Sequence, residues 1–181
     1  LMSLKKKSHS KEKIIIKYLA SITPLKSFRR TPNVNFLKAD QIISSLNAVD
    51  YVIHQPGAKS PRIKDDVQHY WYMHRQQKDN LIVHCGYRII ELYSKRHGKK
   101  ETFEVSNDST KLNGKIIHHG PAILSWPTSV FHRISSPEGS ISTNYAYHYQ
   151  HFTRKNNFNI YDLNVDTGEY HVVRPAPLDE K

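Results

Sequence analysis

The sequence predicts a mainly β protein, built as a small barrel with one or two short helices ahead of it. Short runs rich in apolar and β-branched residues follow one another at near-regular spacing from residue 68 to residue 149. Glycine or proline stands at the breaks between several of these runs, as is typical of strands joined by turns. The chain also contains 11 Tyr and 12 His, whose side chains suit the wall of a polar cavity better than a dry core.

Residues 1–35 are predicted to form a basic N-terminal extension that is partly disordered. Within it, residues 12–21 are predicted to form a short amphipathic helix, and a second helix is predicted at residues 38–46. Both predictions depend on apolar residues at helical spacing, which are Ile15, Tyr18, Leu19 and Ile22 in the first segment and Ile42, Ile43 and Leu46 in the second.

A barrel domain is predicted over residues 36–174, followed by a C-terminal tail at residues 175–181. Its predicted strands are residues 51–55, 68–74, 80–85, 87–93, 101–106, 115–118, 122–126, 130–135 and 140–149. The two strands that flank Gly86 are predicted to pair as a hairpin, and residues 158–163 and 170–174 are predicted to form a final hairpin. Many short strands at this spacing favour a sandwich or a barrel.

The net charge of +11 is concentrated at one end of the chain. The first 30 residues hold nine Lys and Arg residues against a single acid, Glu12. We interpret this arm as a solvated tail, and binding of the arm to nucleic acid or to an anionic membrane is the alternative. For the remainder of the chain we expect no nucleic-acid partner and no membrane partner.

Several function classes are disfavoured by what the sequence lacks. Cys85 is the single cysteine, which excludes an intrachain disulfide and a thiolate zinc site and indicates a reducing compartment. No apolar run has the length needed to span a bilayer, so we predict a cytoplasmic protein. The chain has no glycine-rich phosphate loop and no nucleotide-binding βαβ pattern, which argues against kinases and dehydrogenases.

Two motifs place polar side chains on the predicted strands. In the first motif, Tyr72 and His74 are followed by Asp79 after four residues and by Gly86 after six more. Tyr72 and His74 are two residues apart on a strand, so they face the same side. The second motif consists, in chain order, of Gly120, Pro127, Ser129 and His132.

These motifs resemble those of the cupin superfamily, whose members fold as jelly-roll barrels. The resemblance covers about residues 66–150, and in the family the corresponding positions supply three His and one Glu to a divalent metal. Here Tyr72 stands in place of the first His, Asp79 in place of the Glu, and Ser129 in place of a Gly. The resemblance therefore implies a jelly roll in which His74, Asp79 and His132 hold Fe, Mn, Ni or Zn.

The leading hypothesis is a small-molecule enzyme, a dioxygenase or isomerase that depends on the metal held by His74, Asp79 and His132. One alternative is a metal-free epimerase or isomerase of a nucleotide sugar. In that alternative His74 is the catalytic base and Tyr72 or Tyr147 is the acid. The other alternative is a barrel that binds or senses a ligand without catalysis.

Four residues that flank the motifs are predicted to bind the substrate, namely Trp71, Arg75, Trp126 and Arg133. The two arginines suit an anionic group, and the two tryptophans suit a flat or sugar ligand. Ordinary surface charge and core packing are the alternative interpretations of the same residues. The resemblance also implies a homodimer.

Overall fold

The computed structural model describes residues 13–31, 34–38, 46–63 and 68–178. Within these residues the chain forms 16 strands and one α-helix, α1 (Arg154–Asn157). The strands are β1 (Ile14–Ile16), β2 (Ala20–Pro24), β3 (Lys26–Thr31), β4 (Val34–Lys38), β5 (Ala48–His54), β6 (Ala58–Ser60), β7 (Trp71–Met73), β8 (Gln77–Tyr93), β9 (Lys100–Ser106), β10 (Ser109–Leu112), β11 (Lys115–His119), β12 (Ala122–Trp126), β13 (Phe131–Ser136), β14 (Ser140–His148), β15 (Ile160–Leu163) and β16 (Tyr170–Arg174).

The strands form two antiparallel sheets that share the long strand β8. The first sheet has the order β1-β2-β12-β8-β14-β5. The second sheet has the order β11-β10-β9-β8-β13-β7-β15-β16, and β6 also pairs with β13. Strands β3 and β4 form a separate hairpin. This arrangement confirms the predicted mainly β class.

Strand β8 passes through both sheets without a break, so the hairpin predicted at Gly86 is wrong. Gly86 has a φ of +67° and pairs with Ser140 close to the point where the register between β8 and β14 shifts. A Cβ atom at Gly86 would lie 2.3 Å from the carbonyl oxygen of Gly139. The glycine therefore allows a close approach of two backbones at a bend, and it does not end the strand.

The main core lies between the two sheets. Its buried residues include Ile22, Leu81 and Leu124 from the first sheet and Phe103 and Val105 from the second. A second cluster packs on the opposite, outer face of the second sheet and includes residues of β15. Its members are Trp71, Met73, Tyr93, Phe131, Tyr161 and Leu163.

The N-terminal part of the chain departs from the predicted helix. Residues 14–24 form β1 and β2, joined by a turn at residues 17–19, so the helix at residues 12–21 is wrong. Five of these eleven residues are β-branched, and such residues pack better on a pleated sheet than in a helix. Leu19 and Ile22 are buried in the main core, and β2 pairs with β12. The first sheet thus includes residues that precede the predicted barrel start at residue 36.

Helices contribute little to the part of the chain that the structure describes. The helix α1 has four residues. Of the second predicted helix, residues 39–45 lie outside the described residues, and Lys38 ends β4. Among the described residues, no helix has the length and the apolar character needed to cross a membrane.

The later strands lie close to the predicted segments. Strand β12 has the predicted bounds, and β15 pairs with β16 as the predicted final hairpin. Strand β10, which pairs with β9 and β11, was not predicted.

Candidate active site

Two imidazoles and one carboxylate meet at one end of the barrel interior. His74 follows β7, Asp79 lies near the start of β8, and His132 lies on β13. Each residue offers one ligand atom, and these atoms all lie within 4.8 Å of one another. The ring centroids of His74 and His132 are 4.7 Å apart. All three side chains are buried, and we call the group the His–Asp–His cluster.

Strand register explains why these side chains converge. His132 is the register partner of Tyr72 on β7 and of Leu92 on β8, and Leu92 belongs to the main core. Asp79 on β8 is the register partner of Trp126 on β12, which also belongs to the main core. Register partners on adjacent strands share a face, so both sheets direct these residues into the interior.

Backbone carbonyls determine which nitrogen of each imidazole carries a proton. Nδ1 of His74 lies 2.7 Å from the carbonyl oxygen of Asn157, and Nδ1 of His132 lies 3.3 Å from that of Val130. Because a carbonyl oxygen only accepts, each Nδ1 carries the proton, and each neutral ring keeps its lone pair on Nε2. Both Nε2 atoms are therefore free to take up a proton or to bind a metal ion.

Asp79 presents one bonded and one unbonded carboxylate oxygen. Oδ1 accepts hydrogen bonds from Nε2 of Gln77 at 2.7 Å and from Nδ2 of Asn144 at 2.8 Å. Oδ2 is buried 3.7 Å from Nε2 of His74 and has no hydrogen-bond donor among the described residues. Burying an unpaired carboxylate oxygen is costly, so a ligand or an imidazolium beside Oδ2 would stabilise the site.

The indole nitrogen of Trp126 is another buried polar atom at this site. Nε1 has no hydrogen-bond acceptor among the described residues. The indole ring lies 5.3 Å from the ring of His132 between centroids, and Trp126 is the register partner of Asp79. A donor and an acceptor that both lack partners thus lie on neighbouring strands of one face. This pairing is typical of a site that holds a polar ligand.

The protein interior shifts the pKa values of two residues at the site. Burial, with a further contribution from neighbouring His74, lowers the pKa of His132 to about 3, although the Asp79 carboxylate acts in the opposite direction. His132 is therefore neutral at physiological pH. Burial raises the pKa of Tyr72, against the effect of Arg174, so the Tyr72 hydroxyl stays protonated.

The segment from residue 149 to residue 159 covers the site, and we call it the strap. The backbone N–H of Tyr149 donates to the carbonyl oxygen of Gln76 at 2.9 Å. Oδ1 of Asn157 accepts a hydrogen bond from the backbone N–H of Gln76 at 3.0 Å. The ring of Phe158 lies edge-on to His74, with centroids 5.0 Å apart. The strap therefore closes this end of the barrel above the two imidazoles.

Tyr147, predicted as a possible acid, lies on the other face of the first sheet. Its register partner is Lys78, whose neighbour Asp79 points into the barrel. Consecutive strand residues face opposite sides, so Tyr147 is separated from the cluster by the sheet. It lines a cleft of about 220 Å³ together with Lys78 and Ser125. The prediction of Tyr147 as the acid is corrected, and Tyr72 alone of the two tyrosines faces the cluster.

Two of the predicted substrate-binding residues also face away from the cluster. Trp71 belongs to the outer core cluster, and the guanidinium carbon of Arg133 lies 4.3 Å from its ring centroid. Arg133 pairs with Glu91 at 2.5 Å between nitrogen and oxygen. Trp71 comes one position before the inward-facing Tyr72, and Arg133 comes one position after the inward-facing His132. Consecutive strand residues face opposite sides, so both lie on the outer face. Their prediction as pocket residues is corrected.

The other two predicted substrate-binding residues have different positions. Trp126 lies in the site, as described above. Arg75 is exposed and lines a cleft outside the barrel. Four residues that contact the cluster were not predicted from the sequence, namely Asn157, Phe158, Gln77 and Asn144. Gln77 lies inside the first motif, between His74 and Asp79, but the strap residues lie beyond both motifs in the chain.

The His–Asp–His cluster has the donor atoms to bind a divalent transition metal ion as well as to take up a proton. Two imidazole nitrogens with free lone pairs and one buried, unpaired carboxylate oxygen form a donor set that Fe, Mn, Ni and Zn accept. Second-layer groups already orient these donors, since a carbonyl fixes each imidazole and two amides fix the carboxylate.

No protein-family model matches the chain, and no curated protein matches it. Fourteen chains of solved structures resemble it, among them the following two. The dTDP sugar isomerase from Desulfovibrio desulfuricans G20 is 13% identical, with a TM-score of 0.51 over 73% of this chain and 80% of that one. QdtA, a sugar 3,4-ketoisomerase from Thermoanaerobacterium thermosaccharolyticum in complex with TDP, is 14% identical, with a TM-score of 0.50 over 74% and 84%. These likenesses confirm the cupin-like jelly-roll fold.

Proposed function

We propose that this protein is a metal-free isomerase or epimerase of a nucleotide-linked keto sugar, with His74 as the base. The observation that carries the proposal is the fixed tautomer of His74. Its Nδ1 donates to the carbonyl of Asn157, so Nε2, which lies 3.7 Å from Oδ2 of the buried Asp79, is the nitrogen left to exchange a proton with a substrate. Support comes from the two solved structures of similar fold, whose names describe sugar isomerases.

Isomerisation of a keto sugar requires a base that takes a proton from the carbon beside the carbonyl. The electron pair of the C–H bond forms a C=C bond, and the carbonyl oxygen becomes an enolate oxygen. Nε2 of His74 takes the proton, and the carboxylate of Asp79 stabilises the resulting imidazolium. In an isomerisation, the hydroxyl proton of the deprotonated carbon moves to the enolate oxygen. The former carbonyl carbon then takes up the C–H proton, and the hydroxyl-bearing carbon becomes the new ketone. In an epimerisation, an acid on the opposite face protonates the same carbon, and the carbonyl re-forms.

The enolate oxygen needs a hydrogen-bond donor in the same interior. Trp126 Nε1–H is buried and lacks an acceptor among the described residues, so it is suited to that oxygen. The Tyr72 hydroxyl is the candidate acid, because its ring lies 6.0 Å from the rings of both His74 and His132 between centroids. Its raised pKa keeps it a proton donor at neutral pH.

Access to the site requires the strap to move. His74, Asp79 and His132 are each exposed by 5% or less, and Asn157 is fully buried above them. A sugar that reaches Nε2 of His74 therefore displaces Phe158 and the end of the strap. Such closure over the reacting groups also keeps water from the enolate.

Deuterium exchange tests the proposal directly. The protein is incubated in D2O with TDP-linked keto sugars, and incorporation of deuterium at carbon is followed by mass spectrometry. We expect incorporation by the wild-type protein, its loss in His74→Ala, and no effect of a metal chelator. His171→Ala, an exposed histidine on β16, is the matched control. Binding of the sugar with no exchange in the wild-type protein would reject the proposal and favour a ligand-binding barrel.

A second candidate function is a metal-dependent dioxygenase or isomerase. The unpaired Oδ2 of Asp79 favours it, because that oxygen and the Nε2 atoms of His74 and His132 would hold the ion. A bound divalent metal would act as a Lewis acid on a substrate oxygen. Elemental analysis of untagged protein, before and after titration with Fe, Mn, Ni or Zn, tests this candidate. Uptake of one equivalent by the wild type and none by Asp79→Ala would favour it over the metal-free proposal.

We further propose that the chain forms a homodimer and that its basic arm is a solvated tail. Light scattering of the full chain tests the first. Residues 1–12 of the arm lie outside the described residues.

A further inference from the structure

A basic cleft of about 600 Å³ lies outside the barrel, and we call it the outer cleft. Its walls come from the turn between β1 and β2, the turn after β8, the loop after β12 and the start of β16. The residues that line it are Tyr18, Met73, Arg75, Ser94, Lys95, Arg96, Pro127, Thr128, Ser129, Val130, Phe131 and Tyr170.

The outer cleft is distinct from the His–Asp–His cluster. The backbone of residues 127–130 lies between them, since the N–H of Ser129 donates to the carbonyl of His74 at 2.8 Å. The carbonyl of Val130, from the same loop, accepts from Nδ1 of His132. Met73 and Phe131 belong to the outer core cluster, so the cleft opens on the face opposite the barrel interior.

Three cations line the cleft, and its described lining contains no acid. Arg75, Lys95 and Arg96 are all exposed, and none forms an ion pair with a carboxylate of the described residues. Three like charges in one concave surface repel one another until an anion joins them. Arginine in particular presents paired N–H donors that match a phosphate group.

Aromatic rings hold two of these cations in position. The guanidinium carbon of Arg96 lies 4.1 Å from the ring centroid of Tyr18. The ammonium nitrogen of Lys95 lies 4.9 Å from the ring centroid of Tyr170. Cations stacked on ring faces lose less freedom when they bind an anion, so these contacts pre-organise the cleft.

Tyr18 lies in a strained turn that forms one wall of the cleft, and a hydrogen bond from Ser94 holds this turn in place. Tyr18 has a φ of +64°, which is an uncommon backbone conformation for an aromatic residue. The hydroxyl of Ser94 donates to the carbonyl of Tyr18 at 2.7 Å, which ties this turn to the turn that bears Lys95 and Arg96. Backbone strain that neighbouring contacts maintain is a common property of binding sites.

We propose that the outer cleft binds a nucleoside diphosphate. The diphosphate lies against Arg75, Lys95 and Arg96, and the base lies against the exposed aromatic side chains of the lining, Tyr18 and Tyr170. The volume suits a molecule of this size, whereas inorganic phosphate would leave most of the cleft unfilled. The assignment does not depend on the function proposed for the barrel interior. That function adds a separate nucleotide site in the barrel, so the number of TDP molecules bound, one or two, distinguishes the two proposals.

Calorimetric titration of the full chain with TDP and with pyrophosphate tests this assignment. We expect TDP to bind about tenfold more tightly than pyrophosphate, because the base adds apolar contacts. Arg96→Ala and Arg75→Ala should each weaken TDP binding about tenfold or more, and the affinity should fall as salt rises. Lys115→Ala, which removes an exposed lysine on β11, is the control of equal charge and should bind like the wild type.

One further variant shows whether the nucleotide binds in the outer cleft or in the barrel. His74→Ala should keep the nucleotide site, because the barrel interior is separate from the cleft. Loss of TDP binding in His74→Ala, with full binding in Arg96→Ala, would place the nucleotide in the barrel and overturn the inference. Equal loss in Lys115→Ala would also overturn it, as would equal affinities for TDP and pyrophosphate. Melting temperatures of all variants establish that they remain folded.

Discussion

Nδ1 of His74 donates a hydrogen bond of 2.7 Å to the backbone carbonyl of Asn157, 83 residues further along the chain. The bond is buried, and the side chain of Asn157 adds a second link through its Oδ1 to the backbone N–H of Gln76. The strap therefore does two things at once. It covers the cluster, and it sets the tautomer of the imidazole that we propose as the base.

Removal of the Asn157 side chain should loosen the strap. Asn157→Ala leaves the part-buried N–H of Gln76 without its acceptor, which costs about 1 kcal/mol. We expect amide hydrogen exchange at residues 149–159 to rise about tenfold or more, as followed by mass spectrometry. Asn156→Ala is the control, because that neighbouring side chain is exposed and bonds only within the strap, to Thr153. Equal exchange in the two variants would contradict a role of Asn157 as the anchor.

Acid should destabilise the fold through His132. Its pKa is about 3 in the folded protein, below the value of 6.5 for a free imidazole. Between these values the unfolded chain binds the proton and the folded chain does not, so stability falls as the pH is lowered from 6.5 towards 3. The slope contributed by one such group is at most about 1.4 kcal/mol per pH unit.

Denaturant unfolding at several pH values checks this expectation. His132→Asn can keep a donor towards the carbonyl of Val130 but cannot titrate in this range. We expect its unfolding free energy to depend less steeply on pH between 6 and 4 than that of the wild type. His54, whose pKa burial and the charge of Arg88 lower to about 4, contributes equally to both proteins. Parallel slopes in the two proteins would contradict the prediction.

Gly86→Ala should destabilise the protein strongly. The new Cβ would lie 2.3 Å from the carbonyl oxygen of Gly139, and neither backbone can move without disturbing the pairing of β8 with β14. We expect a loss of about 2–4 kcal/mol in unfolding free energy. Gly98→Ala is the control, because Gly98 also has a positive φ, +82°, but open space around its Cβ position. Its expected loss is about 1 kcal/mol, so similar losses in both variants would contradict the steric argument.

Trp126→Phe should reduce turnover while leaving the fold intact. The substitution removes the indole N–H that we assign to the enolate oxygen and keeps an aromatic ring in the core. We expect kcat in the sugar isomerase assay to fall about 100-fold, with a small change in KM. Trp71→Phe is the control, because that indole lies in the outer core cluster and should affect stability alone. Equal kcat values for the two variants would show that the Trp126 N–H has no part in the reaction.

The sequence could predict those site residues whose direction follows from the alternation of side chains along a strand. Tyr72 and His74 share a face because they are two positions apart, and the motif order placed His132 across from them. The same rule explains the errors. Trp71 and Arg133 flank inward-facing residues in sequence, and for that reason they point outward in the structure.

The strap could not be predicted from the motifs. Asn157 and Phe158 reach the cluster only because the chain returns to the barrel after β14, and no periodic pattern marks that return. The N-terminal helix prediction failed for a different reason. Ile15, Tyr18, Leu19 and Ile22 fit helical spacing, but β12 offers an edge to which residues 20–24 pair. Tertiary pairing there outweighs a weak local pattern.

The central position of β8 has a consequence for folding during synthesis on the ribosome. Its four neighbours, β9, β12, β13 and β14, all follow it in the chain. The last of them ends at His148, 55 residues after Tyr93, the end of β8. At translation speeds of about 5–20 residues per second, the ribosome completes the last partner strand roughly 3 to 11 seconds after it completes β8. Until β14 is complete, the part of β8 that pairs with it is available to a chaperone that binds extended segments.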